Sequence, residues 1–324
     1  MTSTRRAALV YNPIKVDLEA LRAAVSAEEQ AAGWAETLWL ETEVDDPGQG
    51  QAKKALAEGV DLVIAAGGDG TVRAVAEALQ DSGVPLALLP SGTGNLLARN
   101  LDLTLDDVGN SLHTAFQGEN RPVDLGLIRI RHDDDTVTQH AYLVMAGLGL
   151  DAKMLAATDD DLKAKVGWLA YAKAIAQVLG EKNHLPIRYN LDAKGNHSVR
   201  ANSIMIGNCG SLPANILLLP DAAIDDGIFD IVILRPEGFI GWVQIIVKIF
   251  WENGVLRRTT AGRKLAGATK EVRALNYLKG RELVQRFSKL EEIELDGDGF
   301  GQAVGLKTWV APGGVLIRVP ADAA

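Results

Sequence analysis

Cysteine is nearly absent from this sequence, which has one, Cys209, in 324 residues. A single cysteine excludes an internal disulfide framework and is typical of proteins that work in a reducing compartment. Histidine is scarce too, with five residues in the chain. None of them has the close spacing of a metal-ligating pair, so the sequence argues against a zinc site.

Long apolar runs are also missing, and no stretch is long enough and apolar enough to cross a bilayer. The most apolar late segment, Gly238–Trp251, is interrupted by Gln244 and Lys248. Its tryptophans, Trp242 and Trp251, leave open a membrane-facing amphipathic helix, although packing against a sheet is the commoner use of such a segment. We expect no transmembrane segment and a cytoplasmic location, with peripheral contact at the inner membrane face as an open alternative.

Positive charge is in deficit, because 33 Lys and Arg residues face 42 Asp and Glu residues and leave a net charge of −9 at pH 7. A chain with this balance repels nucleic acid, so we expect no nucleic-acid partner. Hydrophobic residues make up 47% and charged residues 23% of the chain, which is ordinary for a soluble globular protein. The length allows two domains.

Two patterns of predicted elements follow one another along the chain. Strand-like and helix-like segments alternate at first, which predicts a parallel sheet with helices on both faces. From Arg121 onward strand-like segments dominate, which predicts an antiparallel sandwich. The predicted strands are Ala7–Tyr11, Glu36–Glu41, Asp61–Ala66, Pro85–Leu89, Leu125–Arg131, His140–Met145, Ile187–Asp192, Ala201–Asn208, Phe229–Leu234, Glu271–Tyr277, Glu282–Phe287 and Glu291–Asp296. The predicted helices are Leu18–Ala32, Gln49–Glu58, Val72–Leu79, one that begins near Asn95, Asp159–Leu179, and the apolar segment from Gly238 to about Arg257.

The stretch Gly67–Thr71 (GGDGT) lies between a predicted buried strand and a predicted helix. Open α/β sheets bind ligands at such places, and the free N–H groups of a helix N-terminus attract an anion. The Asp69 carboxylate would repel a phosphate unless a cation lay between them. A plain tight turn has a similar composition, but phosphate together with Mg²⁺ is the simpler interpretation. The stretch lacks the Lys-Ser/Thr of a Walker A loop and the GxGxxG pattern of a dinucleotide site.

Two further turns are predicted at the same edge of the sheet. Ser91–Asn95 (SGTGN) follows the next predicted strand and opens another helix, and Asn12-Pro13 follows the first strand. Because the carboxyl ends of parallel strands share one edge, the three turns would form the walls of one crevice.

Together these motifs resemble the diacylglycerol kinase catalytic family, which includes bacterial soluble lipid kinases and the sphingosine and ceramide kinases. The resemblance rests on Asn12-Pro13, Gly67–Thr71, Ser91–Asn100 (SGTGNLLARN) and Glu294–Asp298 (ELDGD), in that order. VDLG at 123–126, AGLGLDA at 146–152 and LPDAAIDDGIFDIVIL at 219–234 extend it over nearly the whole chain. It implies an ATP-binding α/β domain at residues 1–122, a β-rich lipid-binding domain at 123–305, and a last strand, Val315–Val319, that returns to the first domain within 306–324.

The resemblance also implies an activity, the Mg²⁺-dependent transfer of the γ-phosphate of ATP to a lipid hydroxyl. Diacylglycerol or a related lipid would be met at the membrane surface, and a homodimer is left open. Asp69 would organise Mg²⁺ and its water. Of the late acidic pair, Asp296 and Asp298, one would accept the hydroxyl proton, and we favour Asp296 because it ends a strand and is held more rigidly. The implied ATP-binding residues are Asn12, Pro13, Thr42, Gly67, Gly68, Asp69, Gly70, Thr71, Ser91, Gly92, Thr93 and Asn95.

The stretch Pro220–Ile228 (PDAAIDDGI) has two interpretations. In the family that the sequence resembles, it holds a structural Mg²⁺ through Asp226 and the backbone carbonyls of Ala223 and Ile228. Oxygen ligands suit this hard cation. An ordinary Asp-Asp-Gly turn would have the same sequence.

Two departures from the family pattern keep other functions open. A glycine is expected shortly after Asn12-Pro13, where this chain has Ile14-Lys15-Val16, and the late motif ends Asp-Gly-Asp rather than Asp-Gly-Glu. The alternatives are a NAD-kinase-like or sugar-phosphate kinase, which shares the glycine-rich loop, and a catalytically silent nucleotide-binding regulator.

Overall fold

The structure is a computed structural model that describes residues 4–148, 185–212, 216–236 and 275–321, together with 241 and 245. The helices bounded within these residues are α1 (Leu18–Ala32), α2 (Gln49–Ala57), α3 (Asp69–Leu79), α4 (Leu96–Asn100) and α5 (Val108–Gln117). The strands are β1 (Arg6–Tyr11), β2 (Ala35–Glu41), β3 (Leu62–Gly67), β4 (Leu86–Pro90), β5 (Glu119–Arg131), β6 (Val137–Tyr142), β7 (Met145–Leu148), β8 (Leu185–Leu191), β9 (Asn196–Ala201), β10 (Ser203–Gly207), β11 (Ser211–Leu212), β12 (Ile216–Leu217), β13 (Phe229–Leu234), β14 (Leu275–Gly280), β15 (Glu282–Leu295) and β16 (Asp298–Val319).

The first half of the chain forms a parallel sheet in the order β4-β3-β1-β2. Strand β3 is apolar and buried along its whole length, as a central parallel strand is. Helix α1 begins after Asp17, whose side chain accepts a hydrogen bond from the Ala20 N–H. It ends at Gly33, whose φ of 70° is left-handed and favours glycine. These local signals place the elements as the sequence predicts.

The second half is antiparallel and continues the same sheet in the order β14-β13-β10-β7-β15-β16. Strand β16 pairs with β5 and β15, and its end lies parallel to β4 at the pair Ile317 and Leu86. The predicted fold class is therefore confirmed: a parallel α/β half, an antiparallel sandwich-like half and a last strand that returns to the first half. The predicted division after residue 122 falls inside β5 and stays a prediction.

Buried and exposed side chains alternate along the strands of the antiparallel half. Ile128 and Ile130 of β5 are buried in one core cluster with Ile187 of β8, whereas Arg129 and Arg131 are exposed on the opposite face. This period of two gives the sheet an apolar inner face and a charged outer face.

Several predicted strands differ from the observed ones, because distant partners decide where a strand bends. The predicted strand His140–Met145 is divided between β6 and β7, and Ala201–Asn208 between β9 and β10. The predicted strands Glu282–Phe287 and Glu291–Asp296 fall in one strand, β15, which ends at Leu295 and whose pairing with β16 shifts register at a bulge. Helix α5 has no counterpart among the predicted helices.

Two predicted segments cannot be compared with the structure. Asp159–Leu179 and all but two residues of Gly238–Trp251 lie outside the described residues. Within the part of the chain that the structure describes, no helix has the length and apolar character needed to cross a bilayer.

Candidate active site

The carboxyl ends of β1, β2, β3 and β4 meet at one edge of the parallel sheet. Asn12 follows β1 and donates its N–H to the Ala66 carbonyl of β3 (3.0 Å), and Ser91 donates to the Gly67 carbonyl (3.0 Å). Thr42 follows β2 and donates to the last carbonyl of β1 (2.9 Å). Since each strand end is hydrogen bonded to its neighbour, the structure brings the three predicted turns and Thr42 to one place.

The turn after β1 forms without the glycine that the family pattern predicts. The Asn12 side-chain oxygen accepts a hydrogen bond from the Ile14 N–H (3.1 Å), and the Asn12 carbonyl accepts one from the Lys15 N–H (3.0 Å). None of the residues 12–16 has a positive φ. Because the turn needs no left-handed backbone, residues other than glycine can form it. Pro13 and Lys15 are exposed on this turn.

The sequence pattern predicts that Gly67–Thr71 is a turn and that the helix begins at Val72. In the structure helix α3 already begins at Asp69, so most of this stretch belongs to the helix. Strand β3 runs to Gly67, and Gly68 is the N-cap residue, without a side chain to cap the helix. The next three residues form the first helical turn, whose N–H groups have no partner within a helix. Together with the helix dipole, these N–H groups give this end of α3 the partial positive charge that attracts an anion.

The glycine-rich loops after β3 and β4 touch each other. A Cβ on Gly92 would lie 2.7 Å from the Gly68 Cα, so this approach requires glycine. Asn95 shapes the second loop: its side chain accepts from the Gly92 N–H (3.1 Å) and donates to the Gly92 carbonyl (2.8 Å). Thr93 in this loop is exposed, whereas Thr71 of α3 is buried.

Asp69 joins the two loops through its carboxylate. Its Oδ1 accepts a hydrogen bond from the N–H of Leu96, the first residue of α4 (2.6 Å), and its Oδ2 would clash with a Cβ on Gly94. Burial raises the pKa of Asp69, hydrogen bonds from Leu96 and Asn95 oppose this rise, and the charge of Asp298 adds to it. The carboxylate therefore places a negative charge beside an anion-binding helix end, where a cation would offset it.

Asp296 ends the β15 region as a buried and fully hydrogen-bonded side chain. Its Oδ2 accepts from the Leu143 N–H and its Oδ1 from the Val144 and Met145 N–H groups, each at 2.9 Å. Burial raises the pKa of Asp296 to about 6, although the hydrogen bonds lower it. Its carboxylate ties the end of β15 to the bend between β6 and β7.

Asp298 lies two residues further and has a different environment. Its side chain is 51% exposed, and its Oδ2 is 3.5 Å from the Arg73 Nη2. A Cβ on Gly70 would lie 2.7 Å from the same carboxylate oxygen, so glycine at this position lets Asp298 reach the first turn of α3. Asp69 and Asp298 therefore share one end of α3, although they are far apart in the sequence.

Arg73 is a site residue that the sequence reasoning does not identify. It is 7% exposed, and its guanidinium lies 4.4 Å from the centre of the Phe300 ring. Its Nε has no hydrogen-bond partner among the described residues, and its charge lowers the pKa of Asp296. The available signal is an arginine within the apolar helical stretch VRAVAEAL, four residues after Asp69 and thus on the same helix face.

The loop with the predicted structural cation lies in the antiparallel half, before β13. Buried Asp124 holds it through a hydrogen bond from the Gly227 N–H (2.6 Å), and the Asp226 Oδ1 accepts from the Ile228 N–H (3.1 Å). No backbone N–H of the described residues donates to the carbonyls of Ala223 or Ile228. The predicted ligand oxygens therefore have capacity for another partner.

Negative charge exceeds positive charge around this loop. The Asp230 Oδ1 is 3.1 Å from the Lys279 Nζ, and its buried Oδ2 has no partner among the described residues. Burial raises the pKa of Asp230, Lys279 lowers it, and the charges of Asp226 and Asp221 raise it. No group of three or more His, Cys, Asp and Glu within the described ranges is arranged to hold a metal, so carbonyls would complete the ligand set. An unpaired buried carboxylate oxygen and free carbonyls fit a hard divalent cation.

Two family models match the chain. The model described as the diacylglycerol kinase catalytic domain matches residues 6–128, which include the strand-end edge and Asp69. The model described as the YegS C-terminal NAD kinase beta sandwich-like domain matches residues 143–299, which include Asp296 and Asp298.

Individual relatives are similar over most of the chain. A Pseudomonas aeruginosa protein named "Probable lipid kinase YegS-like" is 31% identical over 97% of this chain and 94% of its own length. The Bacillus subtilis diacylglycerol kinase is 25% identical over 93% of this chain and 92% of its own length. The chain spans about half, 52%, of an uncharacterized Synechocystis protein that is 26% identical over 75% of the chain. The crystal structure of a diacylglycerol kinase from Bacillus anthracis has a TM-score of 0.65 at 18% identity, covers 100% of both chains, and is similar in fold.

Proposed function

The chain belongs to the diacylglycerol kinase catalytic family, and we propose that it is an ATP-dependent kinase that phosphorylates the hydroxyl of diacylglycerol or a related lipid. The observation that carries this proposal is the end of α3, where an anion-binding backbone meets Asp69 from one half of the molecule and Asp298 from the other. Phosphoryl transfer needs these parts: donors for the phosphate, a place for Mg²⁺ and an acceptor for the hydroxyl proton.

In this proposal ATP lies along the strand-end edge, with its phosphates at the first turn of α3. The contact between Gly68 and Gly92 supports this placement, because backbone that no side chain covers can approach a phosphate closely. The nucleotide-binding residues are Asn12, Pro13, Thr42, Gly67, Gly68, Asp69, Gly70, Thr71, Ser91, Gly92, Thr93 and Asn95.

We assign the proton acceptor to Asp298, whereas the sequence alone favours Asp296. The Asp296 carboxylate already accepts three backbone hydrogen bonds and is 6% exposed, so it is suited to hold the site in place. Asp298 is exposed at the end of α3, where a substrate hydroxyl can reach it. As the hydroxyl oxygen bonds to the γ-phosphorus and the bond to the ADP oxygen breaks, the hydroxyl proton passes to the Asp298 carboxylate.

Arg73 positions Asp298 in this proposal. The arginine is packed against Phe300, so its guanidinium has a fixed place from which to attract the exposed carboxylate. It also places a positive charge beside Asp298 and lowers the pKa of Asp296.

Mg²⁺ has two proposed places. When bound with ATP it neutralises charge on the transferred phosphoryl group, and Asp69 is the residue of this chain placed to hold it. The loop before β13 would hold a structural Mg²⁺ through Asp226 and the carbonyls of Ala223 and Ile228, since free oxygens and unbalanced negative charge surround it.

The two halves divide the work. We assign ATP binding to residues 1–122 with the returning segment 306–324, and lipid binding to residues 123–305. The lipid is met at the membrane surface, so we place the protein in the cytoplasm with peripheral contact to the inner face.

The test is the transfer of label from γ-labelled ATP to a total lipid extract, with the labelled product identified by mass. The wild-type protein should label a lipid with an added phosphate, and Asp298→Asn, purified and folded, should not. ATP binding without label in any lipid would contradict the proposal and favour a nucleotide-binding regulator.

A further inference from the structure

Three arginines lie together on the outer face of the antiparallel half. Arg188 on β8, Arg200 on β9 and Arg286 on β15, here named the arginine face, are all exposed and line one surface depression of about 670 Å³. None of them forms an ion pair with any residue in the described part of the chain. The net charge of −9 makes such a concentration of positive charge unusual for this chain.

The register of the sheet places like charges against each other. Arg188 and Arg286 are directly opposite in the antiparallel pair of β8 and β15, and Arg200 is opposite Pro186, diagonal to Arg188. Like charges directly opposite in a sheet are destabilising. The buried face of these strands is formed by the alternating apolar residues, such as Ile187. Packing of the core therefore does not require arginines on the exposed face.

Neighbouring cations have partners within the fold, among them Arg129, whose Nε donates to the Gln139 Oε1 (2.9 Å). A second depression of about 320 Å³ shares Arg286 and is lined also by Arg129, Arg131 and Lys307. There Arg131 pairs with Asp135 (2.5 Å) and Lys307 with Glu282 (2.8 Å).

Exposed apolar side chains accompany these charges. Leu290, four residues after Arg286 on β15, is 41% exposed, and Val137 at the start of β6 is 59% exposed. Phe287 lines both depressions. Basic groups that attract phosphates, next to apolar groups that enter the headgroup region, are the chemistry of membrane-surface binding. A second copy of this chain would instead bring the same arginines against each other.

We propose that the arginine face docks on the anionic phosphate head groups of a membrane. The proposal rests on the proposed function in one respect: a kinase that acts on a lipid must work at a membrane, which favours a bilayer over other polyanions. The face would hold the enzyme at the surface from which it takes its substrate.

The test is co-sedimentation of the full-length protein with vesicles of phosphatidylcholine, alone or mixed with phosphatidylglycerol. The wild type should bind the mixed vesicles, and added salt should weaken this binding. The double variant Arg188→Gln/Arg286→Gln should bind about thirtyfold more weakly, because each basic residue near an anionic surface raises the affinity about five- to sixfold and two are removed. The control Lys53→Gln/Lys54→Gln removes the same charge from exposed positions of α2 and should bind as the wild type does.

Unchanged vesicle binding by the arginine variant would overturn the proposal, as would equal loss in the control variant. Binding of an RNA homopolymer as tightly as the mixed vesicles, lost in the same variant, would assign the face to nucleic acid and also overturn the proposal.

The melting temperature of the arginine variant should match or exceed that of the wild type, because a like-charge pair is removed. Phosphorylation of detergent-dispersed diacylglycerol should be unchanged in the variant. If the wild type binds vesicles but phosphorylates no lipid, the proposed function fails and the docking face stands.

Discussion

The parallel and antiparallel halves contribute to the candidate active site in different ways. The parallel half contributes backbone: strand ends, glycines in contact, and the free N–H groups of α3. The antiparallel half contributes two carboxylates, Asp296 and Asp298, from the end of one long strand and the start of the next. A backbone site depends on local sequence, whereas the role of a carboxylate depends on what the rest of the chain packs around it.

The largest expected effect is the loss of catalysis in Asp298→Asn. Removing the proton acceptor should lower kcat for lipid phosphorylation about 10³-fold, within the usual range for general-base catalysis. ATP affinity should remain, because the nucleotide contacts belong to the parallel half. Asp298→Glu, which keeps the charge, should recover much of the rate. If Asp298→Asn keeps its kcat and folded Asp296→Asn loses it, the assignment favoured by the sequence is right and ours is wrong.

A smaller loss, about 10²-fold in kcat, is expected for Asp69→Asn. The amide keeps the volume and one oxygen for the Leu96 N–H, but it removes the charge that would hold Mg²⁺. The loss should therefore be accompanied by a higher Mg²⁺ requirement. Asp106→Asn, a change at an exposed aspartate on the connection before α5, is the matched control. A rate near that of the wild type in Asp69→Asn would remove Asp69 from the site.

The buried member of the acidic pair should affect the pH dependence of stability. Because burial raises the pKa of Asp296 to about 6, the folded state binds this proton more tightly than the unfolded chain does. Its stabilising contribution is therefore fully present below about pH 4 and is lost as the pH rises through about 6. The difference in unfolding free energy between wild type and Asp296→Asn should fall by about 2–3 kcal/mol over this interval. Urea unfolding at each pH measures it, and a flat difference would show that Asp296 does not titrate there.

The smallest effect concerns the loop before β13. If Asp226 helps to hold Mg²⁺, addition of the metal at ten times its Kd stabilises the wild type by about 1.4 kcal/mol, and Asp226→Ala should lose this gain. Asp225→Ala is the matched control, since Asp225 pairs with Arg121 on the surface and should leave the metal response intact. Melting curves with and without Mg²⁺ decide it. If Mg²⁺ stabilises Asp226→Ala as much as it stabilises Asp225→Ala and the wild type, the loop is an ordinary turn.

The parallel half could be predicted closely because its signals are local. The helix Leu18–Ala32 has the predicted bounds, and its Asp and Gly caps are visible in the sequence. The predicted helix begins at Val72, three residues after the observed start of α3, because the glycines at 68 and 70 on either side of Asp69 are typical of a turn. Propensity treats such glycines as a turn, whereas in the structure the Val72 N–H already donates to the Gly68 carbonyl (3.1 Å), which closes the first helical turn.

The antiparallel half was less predictable because long-range pairing shapes it. Strand β16 spans Asp298–Val319 and pairs with three other strands. Nothing in its own sequence indicates which strands these are. Asp296 and Asp298 look equivalent in the motif ELDGD, and their difference arises from Leu143–Met145 and from Arg73, which are more than a hundred residues away. Which acid is buried is therefore a property of the fold.

The most direct test of the central claim gives the enzyme a choice of acceptor. Purified protein is incubated with Mg²⁺, γ-labelled ATP and equal amounts of dispersed diacylglycerol and NAD⁺, and the label in each product is counted. Because the antiparallel half is matched by a model described as NAD kinase-like, fold alone does not decide between the two acceptors. The account predicts label in the phosphorylated lipid and none in the dinucleotide, whereas label in NADP⁺ with none in the lipid would contradict it.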